Sequence, residues 1–406
     1  MRLLNVIRSV DPVQGGPAEG LRQSITATRA MGHIEDVLTL DAPHDACVIG
    51  FPATVHALGP VGSTYGRSDR LLPWLSAHAA SYDAVVVHGL WQHLGLSVWR
   101  ALRGGHVPYF VYPHGMLDPW FKQRYPLKHL KKLLYWWAAE YRVLRDASAV
   151  LFTADEERRL AAQTFWPYRV RPAVVGYGVA DTGAAANADT EPLFQRWPAT
   201  RGKRLVLFLG RLHPKKGGDL LIEAFAQVAA RDPALHVVMA GPDDRSGVRA
   251  AWEALALRCG VAERVTFTGM LTGDAKWAAL RAAEVFALPS HQENFGIAVV
   301  EALASGVPVL ISDKVNIWRE IVADDAGFAG NDTLVGTVDT LSRWLSLEPP
   351  RRTAMRQHAV NCYRRHFHMA AAAQRLIDTI TPHLRHAVVT KQAVLTAQAP
   401  RLDSQR

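Results

Sequence analysis

The sequence has 406 residues, a length typical of two or three domains. Hydrophobic residues make up 49% and charged residues 20%, with 30 glycines and 23 prolines, which excludes disordered, collagen-like and low-complexity proteins. The net charge of +9 is compatible with an anionic partner: nucleic acid, an anionic membrane or a phosphorylated small molecule. Three widely spaced cysteines allow no disulfide framework or zinc cluster and favour a reducing compartment.

The apolar runs of the sequence do not have the form of targeting or membrane-spanning segments. The N-terminal run ends at Asp11 and is too short for a signal peptide. The run 295–312 is interrupted by Glu301 and by a Gly-Val-Pro turn, so it predicts a helix, a turn and a strand. We therefore expect a cytoplasmic protein, soluble or peripheral on the inner face of the cytoplasmic membrane.

Short apolar runs rich in β-branched residues alternate with longer helical patterns along the chain. The predicted strands are residues 3–8, 84–88, 109–112, 149–153 and 170–175, then 204–209, 236–240, 265–268, 285–288 and 308–311. Continuous apolar strands separated by helices are typical of parallel sheets covered on both faces. Residues 180–202 are rich in small and turn-forming residues and show no regular period. The pattern predicts an α/β fold with two doubly wound domains, 1–180 and 181–367.

The C-terminal residues divide into two parts. Residues 368–380 have a helical apolar pattern and Pro382 soon follows, so we expect a C-terminal helix within 368–385. Residues 386–406 are only weakly amphipathic and predict a loosely held tail.

The segment 290–301 holds two glutamates after the predicted strand 285–288. Glu293 and Glu301 are eight positions apart, and eight helical residues rise about 12 Å. The two carboxylates of a retaining glycosidase lie about 5 Å apart, so this pair cannot address one reacting carbon. It could hold opposite ends of an extended ligand, with the backbone amides of residues 294–297 binding phosphate between them. Such a ligand is a nucleotide sugar; the alternative is an ordinary amphipathic helix.

Two further segments follow predicted strands. Arg211 and Lys216 lie in a loop after strand 204–209, where they would suit a diphosphate leaving group; the alternative is a solvated loop. Gly15 and Gly16 follow the first strand and allow close backbone approach, although a tight turn explains them equally well. They do not form the dinucleotide-binding fingerprint, which disfavours a nicotinamide enzyme.

Two histidines follow strands in the first half of the chain. His88 ends the predicted strand 84–88, and His114 follows the strand 109–112 in the sequence Tyr-Pro-His-Gly. Both would face the cleft of a doubly wound domain, but a single histidine at such a place is more often structural than catalytic.

Together these motifs resemble the retaining GT-B glycosyltransferases of glycosyltransferase family 4, the group 1 nucleotide-sugar transferases. The resemblance is specific over residues 203–315, in the segments "GRLHPKKGGDLLIEAF", "VTFTGML" and "AAEVFALPSHQENFGIAVVEALASGVPVL". It implies an acceptor-binding N-terminal domain and a donor-binding second domain, both Rossmann-like and facing a cleft. It also implies that the C-terminal helix crosses back to the first domain.

The resemblance also implies roles for individual residues. Arg211 and Lys216 would bind the donor diphosphate, with Lys215 an alternative to Lys216, and Gly16 would approach it from the first domain. Glu293 would contact the donor sugar and Glu301 the ribose. The remaining donor contacts would come from the backbone of Asn294, Phe295, Gly296 and Ile297. His114 would contact the transferred sugar, with Glu293 the second catalytic residue.

The family needs no divalent metal, and we expect no cofactor besides the GDP- or UDP-linked donor. Base choice would depend on backbone and shape near residues 269–271, whose side chains do not decide it.

Residues 118–145 combine seven cations with two anions and several aromatic residues. This basic aromatic segment would suit an anionic membrane surface, or it could be a domain helix with core aromatics and solvated lysines. Nucleic acid is the poorer interpretation because no recognised nucleic-acid fold accompanies the charge.

The predicted function is therefore retaining transfer of a sugar to a saccharide hydroxyl, on a lipid-linked acceptor for surface polysaccharide. The alternatives are a nucleotide-sugar epimerase or hydrolase of the same fold, and a non-catalytic nucleotide-sugar-binding subunit.

Overall fold

The computed structural model describes residues 1–12, 16–181, 188–243 and 247–397, with the backbone alone for 385–397. The chain forms two compact units. The first runs from Met1 to Tyr177 and takes up the chain again from Met369, and the second is Gly178–His368.

The first unit contains a parallel sheet whose described strands lie in the order β3-β2-β1-β4-β5-β6-β7. These strands are β1 Arg2–Val6, β2 Ile34–Thr39, β3 Thr54–Ala57, β4 Ala84–His88, β5 Tyr109–Tyr112, β6 Ala149–Phe152 and β7 Pro172–Val174. The described helices are Gly16–Ala30, Ala46–Ile49, Leu71–His78, Ala79–Ser81, His93–Leu102, Trp120–Arg124, Pro126–Tyr135, Trp136–Glu140 (a π-turn), Tyr141–Asp146, Asp155–Ala161 and Met369–Ala397.

Helices cover both faces of this sheet, so its central strands are apolar on both sides. Val85 and Val87 of β4 pack into one buried cluster with Trp136. Ala84 and Val86, which point the other way, pack into a second cluster against the C-terminal helix. Alternate residues of one strand therefore serve two separate cores, which explains the continuous apolar runs in the sequence.

The second unit contains a parallel sheet in the order β10-β9-β8-β11-β12-β13. These strands are β8 Arg204–Leu209, β9 Leu235–Ala240, β10 Val265–Gly269, β11 Ala283–Leu288, β12 Val309–Ser312 and β13 Gly327–Gly330. The described helices are Glu191–Arg196, Pro198–Thr200, Pro214–Lys216, Gly218–Val228, Ala229–Arg231, Val248–Arg258, Ala262–Arg264, Gly273–Ala282, Ile297–Ala304, Trp318–Ala323, Leu334–Leu345, Pro349–Cys362 and Tyr363–Phe367 (a π-turn).

In each sheet the strand order reverses between two neighbouring strands, β1 and β4 in the first and β8 and β11 in the second. Ligands of open α/β sheets bind beyond the carboxyl ends of the strands at such a switch point. In the second unit this edge carries the loops 210–217 and 289–296.

The predicted doubly wound α/β fold is confirmed, and all ten predicted strands have counterparts within a few residues. Three strands, β2, β3 and β13, were not predicted, since β2 carries two acids and β13 is the glycine-rich sequence Gly-Phe-Ala-Gly. Residues 180–202, expected to lack regular structure, contain the helix Glu191–Arg196, whose Leu193 is buried.

The C-terminal helix differs from the prediction, because it continues through Pro382 to Ala397. Proline at this position removes one backbone hydrogen bond. Packing continues beyond it: Leu384 contacts the second buried cluster, and the ring of His383 lies 5.3 Å from that of Phe110. Tertiary contacts thus sustain the helix where the local signal predicts its end. Of the predicted loose tail, residues 386–397 continue this helix and 398–406 lie outside the described residues.

In the described part of the chain, none of the helices combines the length and the apolarity that a membrane span requires.

Candidate active site

The loop after β8 lies directly against the end of β11. Gly217 makes this possible, because it has a φ of 67° and a Cβ atom there would lie 2.1 Å from the carbonyl oxygen of Pro289. The His291 amide donates to the carbonyl oxygen of Lys215 at 2.8 Å. His213 fixes the turn by accepting a hydrogen bond from the Lys215 amide at 3.0 Å. The two loops therefore form one rigid surface at the switch point.

The two lysines of this loop hold two consecutive residues of the facing loop. Lys216 Nζ forms a hydrogen-bonded ion pair with Glu293, and both side chains are less than a fifth exposed. Lys215 Nζ donates to Gln292 Oε1 at 2.9 Å. The structure therefore assigns different partners to the two lysines that the sequence left as alternatives: Lys216 faces a carboxylate and Lys215 a neutral amide.

Glu293 lies in a strongly positive environment. Burial is the largest single effect and would raise the pKa of its carboxyl group, but the charge and hydrogen bond of Lys216 and the charges of Lys215 and Arg211 together outweigh burial. The pKa of Glu293 is consequently below its usual value, so the group is ionised at neutral pH. Arg211 is exposed, so its guanidinium group is accessible to a ligand.

The backbone around Glu293 is fixed from the neighbouring strand connection. The Glu293 amide donates to Lys314 O at 2.9 Å, and Asn316 N donates to Glu293 O at 3.0 Å. The Asn316 side chain also donates to Asn294 Oδ1 at 3.3 Å. These bonds hold the turn in a single position above the sheet edge.

The predicted helix begins at Ile297, and Gly296 precedes it with a φ of 75°. A Cβ atom on Gly296 would lie 3.1 Å from Val299 and 3.2 Å from the Glu293 side chain, so glycine fits this turn closely. The first amides of a helix have no carbonyl partner within the helix and carry its positive end. The start of this helix therefore lies next to the Glu293–Lys216 pair, while the Phe295 side chain is buried.

Glu301 is one and a half turns into this helix and is nearly buried. Its Oε1 accepts a hydrogen bond from Lys276 Nζ at 2.7 Å, and this ammonium group also lies 4.3 Å from the ring of Trp277. Sequence reasoning missed Lys276. Its distance of 25 residues from Glu301 gives no periodic signal, and only the fold brings the two together.

The remaining predicted residues belong to the first unit. His114 has a φ of 50°, and its Nε2 lies 3.1 Å from Nδ1 of His88. Burial lowers the pKa of His114 to about 4 and that of His88 well below its usual value, so both rings are neutral at pH 7. Gly16 begins the first helix, whereas Gly15 lies outside the described residues.

The turn that carries His114 is held by a buried carboxylate that sequence reasoning also missed. Glu157 accepts hydrogen bonds from the Gly115 amide at 2.6 Å and from the amide and hydroxyl of Thr153 at 2.8 and 2.7 Å. Both the strand end and the His114–Gly115 turn are thereby fixed to one side chain.

A cavity of about 520 Å³ lies beside the helix His93–Leu102 of the first unit. Its lining includes Arg67, His93 and Arg100, together with serine and tyrosine hydroxyls. Asp69 also lines the cavity, 4.0 Å from Arg67. The volume is that of a small-molecule site, and the two arginines outnumber the single carboxylate.

The basic aromatic segment separates into a buried and an exposed side. Trp136 is fully buried and its indole N–H donates to Pro167 O at 3.1 Å, so this aromatic residue belongs to the core. Lys132 Nζ lies 4.7 Å from the ring of Trp91. The opposite side carries three leucines on one helix, exposed by 84, 59 and 70%. We call this set the leucine face: Leu127, Leu130 and Leu134.

Among the side chains that the structure describes, we find no group of three histidine, cysteine, aspartate or glutamate residues able to hold a metal ion.

Two family models match the chain, and their limits lie close to those of the two compact units. Residues 15–178 match the model described as "Glycosyl transferase 4-like domain", and residues 189–361 match "Glycosyl transferases group 1". The chain belongs to the group 1 glycosyltransferases. The second match contains the Glu293–Lys216 pair and the Glu301–Lys276 pair.

Relatives of this glycosyltransferase include two enzymes named D-inositol 3-phosphate glycosyltransferase. The protein from Nocardia farcinica is 34% identical over 178 residues, 43% of this chain and 39% of the relative. The one from Corynebacterium diphtheriae is 32% identical over 207 residues, 47% of each chain. The aligned regions thus span less than half of these curated relatives.

Solved structures share the fold over nearly the whole chain. Sucrose-phosphate synthase from Thermosynechococcus elongatus has a TM-score of 0.74 at 20% identity and covers 95% of this glycosyltransferase and 99% of its own chain. Anabaena Alr3699/HepE in complex with UDP and glucose has a TM-score of 0.74 at 18% identity, covering 94% and 100%. These structures confirm the GT-B fold.

Proposed function

We propose that the protein is a retaining glycosyltransferase that moves a sugar from a UDP- or GDP-linked donor to a hydroxyl of a saccharide acceptor. The observation that carries this proposal is the Glu293–Lys216 ion pair beside the start of the helix Ile297–Ala304. An ionised carboxylate, cations and backbone donors together match the sugar hydroxyls and diphosphate of such a donor.

Each group has a separate task in this proposal. Arg211 and Lys216 neutralise the diphosphate as negative charge develops on it, and the amides of residues 294–297 bind its oxygens. Glu293 accepts hydrogen bonds from hydroxyls of the donor sugar, and Glu301 accepts them from the ribose. In the first unit, His114 accepts a hydrogen bond from a hydroxyl of the transferred sugar.

The chemical step proceeds by attack on the face from which the diphosphate leaves. The bond from the anomeric carbon to the phosphate oxygen breaks while the bond to the acceptor oxygen forms. The acceptor hydroxyl gives its proton to an oxygen of the departing diphosphate, so atoms and charge balance without a protein base. No metal or cofactor takes part in this scheme.

We further propose a lipid-linked acceptor for surface polysaccharide, met by a cytoplasmic enzyme peripheral to the inner face of the cytoplasmic membrane. The leucine face supports this proposal, because exposed leucines flanked by Lys128 and Lys131 suit insertion among anionic headgroups. An acceptor of this kind exposes its hydroxyl close to the bilayer.

A second acceptor class is favoured by a separate observation. The relatives named above act, by their names, on D-inositol 3-phosphate. The cavity offers Arg100, and also Arg67 with Asp69 4.0 Å from it, for the phosphate of a phosphorylated polyol.

The test begins with a thermal-shift panel of UDP, GDP and ADP sugars, because a bound donor stabilises the folded state by mass action. The stabilising donor is then incubated with lipid-linked saccharides and with inositol phosphate, and the product is analysed by NMR. We expect nucleoside diphosphate release and a linkage that keeps the donor's anomeric configuration. An inverted linkage would refute retention. Epimerised or hydrolysed donor without acceptor would identify the alternative enzyme, and binding without turnover would identify a non-catalytic subunit.

A further inference from the structure

A line of buried polar side chains crosses the sheet of the first unit and ends at His114. It joins Glu35 on β2, Asn5 on β1, His88 at the end of β4 and His114 after β5. These four strands are consecutive neighbours in the sheet. We call Glu35, Asn5 and His88 the polar chain. Each of these three side chains is at most 7% exposed. An apolar side chain would be more favourable than a polar one at such a buried strand position.

Which atom donates in each hydrogen bond along this line follows from what the neighbouring group can donate or accept. Asn5 Nδ2 donates to Glu35 Oε2 at 2.5 Å, so Asn5 Oδ1 is left as an acceptor. It lies 3.1 Å from His88 Nε2, which must therefore carry a proton. A neutral His88 then has a bare Nδ1, and this atom lies 3.1 Å from His114 Nε2. His114 must therefore donate from Nε2, which leaves its Nδ1 as an acceptor.

At the other end of the line, Glu35 is the acceptor of the hydrogen bonds that it makes with Asn5 and Thr28. Glu35 Oε1 accepts a hydrogen bond from the Thr28 hydroxyl at 2.5 Å, so both carboxyl oxygens act as acceptors. Burial raises the pKa of Glu35, opposed by the hydrogen bonds from Thr28 and Asn5. In its ionised form Glu35 can only accept, so it orients the amide of Asn5, and this orientation passes to the two imidazoles in turn.

The ring of His114 is also fixed in orientation. It stacks on Tyr112 at 5.2 Å between centroids, and Tyr112 stacks on His88 at 5.4 Å. Tyr177 meets His114 edge-on at 5.9 Å. With its backbone turn held by Glu157, this side chain has its position, its ring plane and its proton all determined by buried neighbours.

We propose that the polar chain acts as a positioning device that holds His114 in the Nε2–H tautomer, so that Nδ1 accepts a hydrogen bond from a hydroxyl of the bound sugar. This inference rests on the proposed function for the identity of the ligand. Glu35, Asn5 and His88 are positioning residues, since they act through His114. A sugar hydroxyl can donate to this Nδ1, whereas an Nδ1–H tautomer would present a second donor to it.

The proton positions can be measured without substrate. Full-length protein labelled with ¹⁵N-histidine is studied by long-range ¹H–¹⁵N NMR at pH 7, with His88→Gln and His114→Gln used only to assign signals. We expect both His88 and His114 in the Nε2–H tautomer. A wild-type His114 in the Nδ1–H form would overturn the inference.

The decisive variant is Asn5→Leu, which removes the acceptor of the His88 Nε2 proton. His88 is then free to donate from Nδ1, and we expect His114 to change to the Nδ1–H tautomer. The kcat/KM for transfer should fall about tenfold, the loss expected for one hydrogen bond. The matched control is Tyr82→Phe, which removes a buried hydrogen bond to Asp36 on the same strand as Glu35 without touching the polar chain, and should preserve both the tautomers and kcat/KM.

A second pair of variants covers the case in which Asn5→Leu does not fold. In Asn5→Asp, the new carboxylate faces the carboxylate of Glu35, so two acceptors lie opposite each other. In the double variant Asn5→Asp/Glu35→Gln, the glutamine amide at position 35 can donate to the aspartate at position 5. We expect the double variant to recover the wild-type tautomers and most of kcat/KM. An inverted tautomer with kcat/KM within twofold of wild type would refute the positioning role. Wild-type protein with the expected tautomers but no transferase activity would refute the proposed function instead.

Discussion

Replacing Lys216 with methionine is expected to weaken donor binding and to introduce a pH dependence that the wild-type enzyme lacks. The substitution keeps the length of the side chain but removes the ion pair with Glu293. Loss of one charge-assisted contact to the diphosphate costs about 1.5–3 kcal/mol, which corresponds to roughly 10- to 150-fold in affinity. The remaining Glu293 then lies buried with only Arg211 and Lys215 to oppose desolvation.

The sign of the pH effect follows from this loss. In the wild type the pKa of Glu293 is below its usual value, so the group stays ionised above about pH 5. Without Lys216, burial raises its pKa, and the protonated form accumulates as pH falls from 7 towards 5. We therefore expect kcat/KM of Lys216→Met to decline over this range, while the wild-type profile is flat.

The neighbouring lysine provides a matched control. Lys215→Met removes an ammonium group from the same loop, but its partner is the neutral side chain of Gln292. Isothermal titration with nucleoside diphosphate and a pH–rate profile should show a smaller loss of affinity and no new acid limb. Equal affinities and identical profiles for the two variants would show that the Lys216–Glu293 pair has no special role.

Three further predictions concern other parts of the molecule. Glu301→Gln should raise the donor KM about tenfold through loss of a charge-assisted acceptor, and should reduce discrimination against a 2′-deoxyribose donor; unchanged discrimination would refute ribose binding. Serine at all three positions of the leucine face should abolish co-sedimentation with anionic vesicles while unfolding midpoints stay unchanged, and undiminished binding would contradict membrane docking. Trp136→Ala should destabilise the first unit by about 3–5 kcal/mol, whereas the half-exposed Trp137 should tolerate alanine; equal losses in urea denaturation would contradict their assigned burial.

The sequence predicts the apolar strands of this fold but not the strand with buried acids. In β2, Glu35 and Asp36 are both buried, which the pattern of a buried strand does not allow. Their partners come from elsewhere: Asp36 accepts hydrogen bonds from Arg2 at 2.7 Å and from Tyr82 at 2.8 Å. Since these partners are 34 and 46 residues away, no local periodicity reveals them.

The same limit applies to the site. Motif spacing and resemblance single out Glu293, Lys216 and Glu301, and the structure shows where each lies. Their pairing could not be predicted, because Lys216 and Glu293 are 77 residues apart and meet only through the adjacency of β8 and β11. Lys276 was missed for the same reason, since it lies on the helix Gly273–Ala282 and pairs with Glu301 on the helix Ile297–Ala304.

The polar chain also bears on how the first sheet selects its strand partners during folding. Apolar strands such as β4, with valines on both faces, gain nearly as much burial after a slip of one residue along a neighbour. The same slip of β1 would turn Asn5 to the opposite face and leave Glu35 Oε2 and His88 Nε2 without their Asn5 partner in the apolar interior. Each unsatisfied group costs about 1–3 kcal/mol, a large fraction of the stability of a domain. The residues that orient one imidazole therefore also penalise misaligned sheets, and their loss would be expected to increase misfolding even where native contacts are otherwise preserved.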